Sequence, residues 1–257
     1  MSSSFMRVYD NLFNEIISPE NLFIAWDIFR RGKWRRLDVQ DFERNLESNI
    51  FQLARALGER RYWHSPYTAF RICDPKLRDV HKATVRDRIV HHAVFKVLNL
   101  VYEPTFIFPS FSCRIGKGTH KGVNTLEKML RQTSQNYMQT CYALKCDIKK
   151  FFDSVDHAIL LEILGRKIKD SNVMWLLETI VKSYSSTYER ERERESKNAG
   201  EIGMPIGNLT SQLFANVYMN EFDQFVKHKL KIKNYARYTD DFIIVAEDKN
   251  YLPKFQN

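Results

Sequence analysis

Residues 234–245 read NYARYTDDFIIV, and this stretch decides the fold. Residue types that favour β-strands flank the adjacent pair Asp240 and Asp241 on both sides. The pattern predicts one strand at Asn234–Tyr238 and another at Phe242–Val245, joined by a tight hairpin that carries the two aspartates at its tip. Adjacent carboxylates in such a place are costly to bury unless a cation is bound. The stretch therefore indicates a metal site.

A third carboxylate ends an earlier apolar run. Residues Tyr142–Ile148 predict a buried strand that ends on Asp147. Two-metal chemistry needs two divalent ions about 4 Å apart, held by hard oxygen ligands. Asp147 and Asp240 can bridge both ions, with Asp241 supporting the site. The alternative interpretation is an Asp-Asp turn plus an unrelated strand-ending aspartate, and the flanking apolar runs favour the metal site.

The overall charge points to a polyanionic partner. The 257 residues include 40 Lys and Arg against 31 Asp and Glu, a formal net charge of +9, which favours nucleic acid or an anionic membrane surface. No run of about 18 apolar residues predicts a membrane span, and the N-terminal residues do not resemble a secretory signal. The four cysteines lack metal-ligand spacing, so we expect plain thiols in a cytoplasmic protein without zinc.

The N-terminal sixty residues are predicted to be helical. Apolar residues recur at helical spacing over Asn21–Phe29 and more clearly over Phe42–Leu57. Between them, Arg30–Arg36 holds five cations around Trp34. A solvated loop and a phosphate-contacting loop with a base-stacking tryptophan are equally compatible with this composition.

Further elements follow along the chain. Residues 67–80 predict two short strands around the turn Asp74-Pro75-Lys76, and Val85–Tyr102 predicts a helix whose two histidines have structural roles. The alternating charges of 188–195 are typical of a solvated face. Asp153 and Asp156 are expected to cap or start the helix after the strand that ends on Asp147.

A basic, glycine-containing segment spans Ser110–Gly122 and leads into a predicted helix at Val123–Leu130. Backbone N–H groups and cationic side chains in such a turn can hold phosphates. The spacing of a Walker loop is absent, so the segment is not a nucleotide-binding P-loop of that kind.

Taken together, these residues resemble the reverse transcriptases. The likeness runs from about residue 21 to the end, and the motifs occur in the order and spacing of that family. Asp147 with 151–157 resembles palm motif A, Gly203–Asn216 resembles motif B, and Tyr238–Asp241 resembles the YxDD box. The two fingers motifs are matched by Arg78–His92 and Ser110–Gly122.

The resemblance implies an α+β right-hand fold with fingers and palm, in which an antiparallel palm sheet packs on helices behind an N-terminal helical extension. Residues 1–60 correspond to the helical region, 61–135 to the fingers and 136–257 to the palm. Only sixteen residues follow Asp241, whereas the family continues into further palm strands and a thumb. We therefore expect a C-terminally truncated sequence without a thumb and with weakened hold on a primer–template duplex.

The resemblance also implies roles for individual residues. Two Mg²⁺ ions, for which Mn²⁺ can substitute, would be bound by Asp147 and Asp240, with the Ile148 carbonyl and Asp241 completing the ligands. Phe152 falls at the steric-gate position that excludes a 2′-hydroxyl. Arg78 and Arg114 fall where the fingers grip the incoming triphosphate, with Lys76 and Lys82 as weaker candidates. An RNA template, a DNA or RNA primer and dNTPs are the implied partners, without a membrane.

Motif B points to a subfamily. Most reverse transcriptases have a glutamine before the glycine, whereas this chain has Ile206 before Gly207, followed by Gln212. This form resembles the reverse transcriptases of diversity-generating retroelements in phages and bacteria, which act with a small basic accessory protein and copy template adenines with errors. An apolar side chain removes a hydrogen-bonding handle on the nucleotide, so we expect looser base selection. A group II intron or phage-defence reverse transcriptase, and a non-catalytic RNA-binding fragment, are the alternatives.

Overall fold

The computed structural model describes residues 7–73, 77–186 and 201–255, with side chains as far as residue 252. The predicted turn at 74–76 and the charge run at 188–195 lie outside the described residues. Among the described residues, none of the helices combines the length and the apolar character of a membrane span.

The chain folds as two compact units. The first comprises Met1–Val101 and Phe152–Phe214, and the second comprises Tyr102–Phe151 and Ala215–Asn257. Helices accompany antiparallel β-structure, which confirms the predicted α+β class. The helices are α1 Phe13–Ile17, α2 Pro19–Arg30, α3 Leu37–Glu43, α4 Leu46–Gly58, α5 Val85–Tyr102, α6 Thr119–Thr133, α7 Phe151–Ser154, α8 His157–Lys167, α9 Ser171–Val181 and α10 Leu209–Gln224. The strands are β1 Thr68–Cys73, β2 Leu77–Lys82, β3 Tyr142–Asp147, β4 Tyr235–Tyr238 and β5 Asp241–Ala246.

The predicted helix at Phe42–Leu57 is wrong in one respect, because the structure divides it into α3 and α4. Asn45 leaves the helical region with φ −124° and ψ 38°. The Asn49 side-chain amide donates to the Phe42 carbonyl over 2.9 Å and satisfies an acceptor that the break exposes. A helical periodicity continues across such a break, so sequence spacing alone does not reveal it.

The basic loop between α2 and α3 presents an aromatic ring to solvent. The Trp34 side chain is exposed, and the Arg35 guanidinium lies 4.6 Å from the centre of its ring. Cation–π stacking of this kind is compatible with a solvated loop and with a nucleic-acid contact. Both interpretations of this loop stay predictions.

The predicted hairpin of 67–80 is confirmed for its two strands. β1 and β2 pair antiparallel, from Thr68 opposite Lys82 to Cys73 opposite Leu77. The helix predicted at Val85–Tyr102 is α5, with the same bounds. Asp156 caps α8, since its carboxylate accepts a hydrogen bond from the Ile159 N–H over 3.0 Å.

Two histidines, the buried His91 and the half-buried His64, are linked by a hydrogen bond in the first unit. His64 Nδ1 lies 2.7 Å from the Ser65 carbonyl, which can only accept, so this nitrogen carries the hydrogen. Burial lowers the pKa of both rings below 6.5, so both are neutral at pH 7. A neutral His64 then accepts at Nε2 from His91 Nε2 at 3.0 Å, and His91 Nδ1 accepts from the Thr210 hydroxyl. His91 therefore has the predicted structural role.

The buried His91 predicts that the free energy of unfolding decreases in mild acid. Burial lowers the pKa of His91 from 6.5 to about 3. The contribution of His91 to stability is fully present above pH 6.5 and is lost as the pH falls towards 3. The reason is that His91 binds a proton in the unfolded chain at a pH where the buried ring of the native chain stays neutral. At pH 5 the loss from this group alone is about 2 kcal/mol. Thermal unfolding at pH 7.5 and pH 5 should show a smaller pH effect in His91→Gln; an unchanged pH effect in the variant would contradict this account.

The second unit is built on a three-stranded antiparallel sheet in the order β3-β5-β4. α6 packs against β4 and β5, and it begins at Thr119, four residues before the predicted start at Val123. Apolar side chains from the sheet and from the segments after α10 form the core of this unit: Val226, Ile232, Tyr235, Phe242, Ile244, Ala246 and Leu252. This core supports the strands that carry the aspartates.

Candidate active site

The sheet register brings the ends of β3 and β5 together. Asp147, the last residue of β3, is the cross-strand partner of Asp241, the first residue of β5. Directly opposite residues of an antiparallel pair have Cβ atoms about 4.5–5.5 Å apart on the same face of the sheet. Residues that are far apart in sequence thus place two carboxylates side by side.

Asp240 sits in the turn of the predicted hairpin, which the structure confirms. Tyr238 and Asp241 are cross-strand partners, so Thr239 and Asp240 form a two-residue connection. Thr239 has a positive φ of 58°, a left-handed conformation that a β-branched residue rarely adopts. The turn is therefore under local strain and needs contacts that hold it.

The chemistry of the donor set fits a divalent cation. Asp147 is exposed and the other two aspartates are half-buried, so carboxylate oxygens, the ligands that Mg²⁺ prefers, are accessible. Lys145 Nζ lies 3.5 Å from Asp241 Oδ1 and offsets part of the negative charge. Nowhere in the described ranges are three His, Cys, Asp or Glu side chains grouped closely enough to hold a metal ion. Asp147, Asp240 and Asp241 as metal ligands accordingly stay a prediction.

The backbone after Asp147 turns at once into a helix. The Ile148 carbonyl accepts a hydrogen bond from the Phe151 N–H over 3.2 Å. A carbonyl oxygen has two lone pairs, so this bond does not exclude the predicted metal contact of Ile148, and that role stays a prediction.

A buried ion pair lies next to the turn, and the sequence analysis did not identify it. Arg237 in β4 and Asp223 in α10 are both fully buried and form a bidentate ion pair. Arg237 Nε donates to Asp223 Oδ1 over 2.8 Å, and Nη2 donates to Oδ2 over 2.7 Å. The Tyr235 hydroxyl donates to Asp223 over 2.6 Å, and burial together with the carboxylate charge raises the pKa of this tyrosine above its usual range. An arginine inside an otherwise apolar strand is the sequence signal that could have revealed the pair.

The segment predicted to hold phosphates runs along β4 in the second unit. The Phe111 N–H donates to the Arg237 carbonyl over 3.0 Å, and the Arg237 N–H donates to the Pro109 carbonyl over 2.8 Å. The Thr239 hydroxyl donates to Ser112 Oγ over 2.6 Å. Residues 109–112 thus contact β4 and the turn formed by Thr239 and Asp240, here called the aspartate turn. Local sequence patterns do not indicate this placement.

Arg114 has an internal role in this structure. Its side chain is 5% exposed, and its guanidinium donates to the Glu103 carboxylate and to the carbonyls of Ile107 and Ser110 over 2.7–3.1 Å. All three of its nitrogens therefore have partners within the same loop. Its contact with an incoming triphosphate stays a prediction, and such a contact would have to compete with these bonds.

Residues 206–208 of motif B are hydrogen-bonded to β2 in the first unit. The His81 N–H donates to the Ile206 carbonyl over 3.0 Å, and the Asn208 amide donates to the His81 carbonyl over 3.1 Å. Gly207 has a φ of +109°, and a Cβ there would lie 2.7 Å from Val80 Cγ1. Only glycine fits this close approach without strain. Ile206 and Gln212 have half-buried side chains.

The remaining predicted substrate residues also lie in the first unit. Phe152 is half-buried in α7, and its carbonyl accepts from the Met204 N–H over 2.6 Å, which joins motif A to motif B. Arg78 is exposed on β2. Lys82 pairs with Asp38 over 2.6 Å, and Lys76 lies outside the described residues. The sugar- and triphosphate-binding roles stay predictions.

Comparisons with known proteins agree with these motifs. A family model described as reverse transcriptase (RNA-dependent DNA polymerase) matches residues 74–256. The group II intron-encoded protein LtrA of Lactococcus lactis subsp. cremoris is 24% identical over 234 residues, covering 88% of this chain and 37% of LtrA. Protein YkfC of Escherichia coli K12 is 28% identical over 178 residues, covering 68% of this chain and 44% of YkfC. A chain of a partial Cas6-RT-Cas1–Cas2 complex aligns with a TM-score of 0.46 and 20% identity, over 93% of this chain and 38% of that chain. The chain spans less than half the length of each of these three proteins.

Proposed function

The chain belongs to the reverse transcriptase (RNA-dependent DNA polymerase) family, and from this premise we propose that it extends a DNA or RNA primer with dNTPs on an RNA template. The observation that carries the proposal is the register of Asp147 opposite Asp241, with Asp240 in the adjoining turn. Asp147 is exposed, Asp240 and Asp241 are half-buried, and Lys145 lies beside Asp241.

In the proposed mechanism, Asp147, Asp240 and Asp241 would hold two Mg²⁺ ions. When bound, such ions favour attack by the primer 3′-oxygen and stabilise the charge on the leaving pyrophosphate. The protein's own contribution is to hold three carboxylates at fixed strand ends, so that little reorganisation is needed. The Ile148 carbonyl would add a ligand from the backbone.

Nucleotide selection is assigned to residues of the first unit. The Phe152 ring is proposed to exclude a 2′-hydroxyl, and Arg78 is proposed to contact the triphosphate, with its side chain exposed for that purpose. The net charge of +9 supports binding to the template and the primer. We assign residues 1–60 to a helical region, 61–135 to fingers and 136–257 to palm.

Primer extension on a defined RNA template in Mg²⁺ tests the function. We expect labelled primer to lengthen with dNTPs and not with ribonucleoside triphosphates, because a 2′-hydroxyl would meet Phe152. Retention of RNA in a binding assay without any extension would instead support the non-catalytic RNA-binding alternative. Extension with both kinds of nucleotide would remove the role of Phe152.

For the finer function, the proposal is mutagenic copying in a diversity-generating retroelement, with a small basic accessory protein as partner. It is supported by Ile206 before Gly207, since an apolar side chain offers no hydrogen bond to the nascent base pair. Sequenced products should carry errors opposite template adenines, and Ile206→Gln should lower that error rate severalfold. Accurate copying at adenines by the unaltered chain would refute this assignment.

The second candidate is the reverse transcriptase of a group II intron. It is favoured by the name of LtrA, a group II intron-encoded protein with 24% identity to this chain. The same sequencing experiment separates the two, because a group II intron enzyme is expected to copy adenines as accurately as the other bases.

A further inference from the structure

The Arg237 guanidinium has a separate acceptor for each of its five N–H groups. Nε and Nη2 donate to the two oxygens of Asp223, and Nη2 also donates to Ser110 Oγ over 3.0 Å. Nη1 donates to Asn216 Oδ1 over 3.3 Å and to the Thr239 carbonyl over 2.7 Å. The last bond is the one that reaches the aspartate turn.

The Thr239 carbonyl belongs to the strained residue of that turn. A left-handed conformation costs a β-branched residue about 1–3 kcal/mol, so the isolated turn would relax. Two contacts oppose relaxation: the bond from Arg237 to the carbonyl and the 2.6 Å bond between the Thr239 and Ser112 hydroxyls. Ser112 is itself held, since its carbonyl accepts from the Asn216 amide over 2.9 Å.

We propose that Arg237 is a positioning residue for the metal site, which locks the Thr239–Asp240 turn so that Asp240 and Asp241 are held in place before a cation arrives. The inference rests on the proposed function, because it assigns Asp240 and Asp241 to metal binding. Arg237 acts through the Thr239 backbone and touches neither the metal nor the substrate. The buried Asp223 orients the guanidinium, and Ser110 and Asn216 fix its plane.

Only arginine can fill this role. Its planar fork presents five donors in fixed directions, whereas a lysine ammonium offers three donors at one point. Arg237→Lys keeps the positive charge opposite Asp223 but cannot serve the carboxylate and the Thr239 carbonyl together. The variant therefore separates charge balance from control of the turn.

Mn²⁺ binding, followed by the electron paramagnetic resonance signal of the free ion, tests the inference without relying on catalysis. We expect Arg237→Lys to weaken Mn²⁺ binding about 10- to 100-fold, the range seen when residues behind metal ligands are changed. Val226→Ala is the matched control, because Val226 is a buried core residue of the same unit and belongs to neither the turn nor the side chains bonded to it. It should lower the unfolding temperature and leave Mn²⁺ affinity unchanged.

Ser112→Ala provides a second route if Arg237→Lys does not fold. It removes the hydroxyl partner of Thr239 and leaves the buried ion pair intact, so a severalfold loss of Mn²⁺ affinity is expected. Equal Mn²⁺ affinity in the unaltered chain and in these folded variants would overturn the positioning role while leaving the metal site standing. If the unaltered chain bound no Mn²⁺, or if Asp240→Asn bound it equally well, both the metal site and the inference would be overturned.

Discussion

Asp240→Asn is expected to reduce primer extension by at least about 10³-fold, equivalent to roughly 4 kcal/mol of transition-state stabilisation. Asparagine has nearly the same shape as aspartate, so the turn between β4 and β5 should persist. What changes is the charge: a neutral amide binds a divalent cation much more weakly than a carboxylate does. The rate of primer extension on an RNA template in Mg²⁺ measures the loss.

The control for this experiment is Glu247→Gln. Glu247 is exposed just after β5, in the same unit, and its replacement removes one negative charge away from the turn. Primer extension by this variant should match that of the unaltered chain. If Asp240→Asn also retained normal extension, the assignment of the catalytic site would be refuted, whatever the variant's stability.

Asp223→Ala is expected to destabilise the fold by about 3–5 kcal/mol, because it leaves the Arg237 charge buried without a counter-charge. Both side chains have no solvent exposure, so water cannot replace the lost carboxylate. Tyr235 loses its hydrogen-bond acceptor in the same variant. The unfolding temperature followed by circular dichroism should fall by roughly 10 °C or more.

The paired variant Asp223→Leu with Arg237→Met distinguishes a buried-charge penalty from simple loss of packing. It removes both charges, so we expect about half of the lost stability to return, while the freed Thr239 carbonyl and Tyr235 hydroxyl prevent full recovery. If the paired variant were as unstable as Asp223→Ala, the burial of an unpaired charge would not be the cause.

Local patterns predicted the elements that carry the aspartates, but the expectation of a buried strand at Tyr142–Ile148 is wrong, because β3 is an edge strand with only exposed and half-buried residues. The hairpin of 234–245 was predictable because strand-forming residues flank a short turn, a pattern that depends only on neighbouring residues. The capping role of Asp156 was predictable for the same reason, since a cap and the N–H group that it accepts from lie within one turn of helix. Helix periodicity indicated helix over Phe42–Leu57 but did not reveal the break between α3 and α4, which depends on the backbone of Asn45.

The candidate site depends more on long-range contacts. Two of the internal partners of Arg114, Glu103 and Ile107, lie outside its motif, whose basic character suggested a free phosphate-binding side chain. The hydrogen bonds around Thr239 and Arg237 join residues 110–112, 216–223 and 237–239, which are separated by up to about 130 positions in the sequence. No local pattern specifies which distant donor will meet a given carbonyl.

The sequence by itself determined the family and the three aspartates at Asp147, Asp240 and Asp241, because residue type and spacing are enough to mark strand ends and a turn. Only the tertiary structure decided that Asp147 faces Asp241 across the sheet and that Arg237 holds the turn beside them. The physical reason is that strand register depends on which face of the sheet is buried against the core, and a buried polar group must pair with whatever partner the folded chain places beside it. Both depend on contacts between residues far apart in sequence.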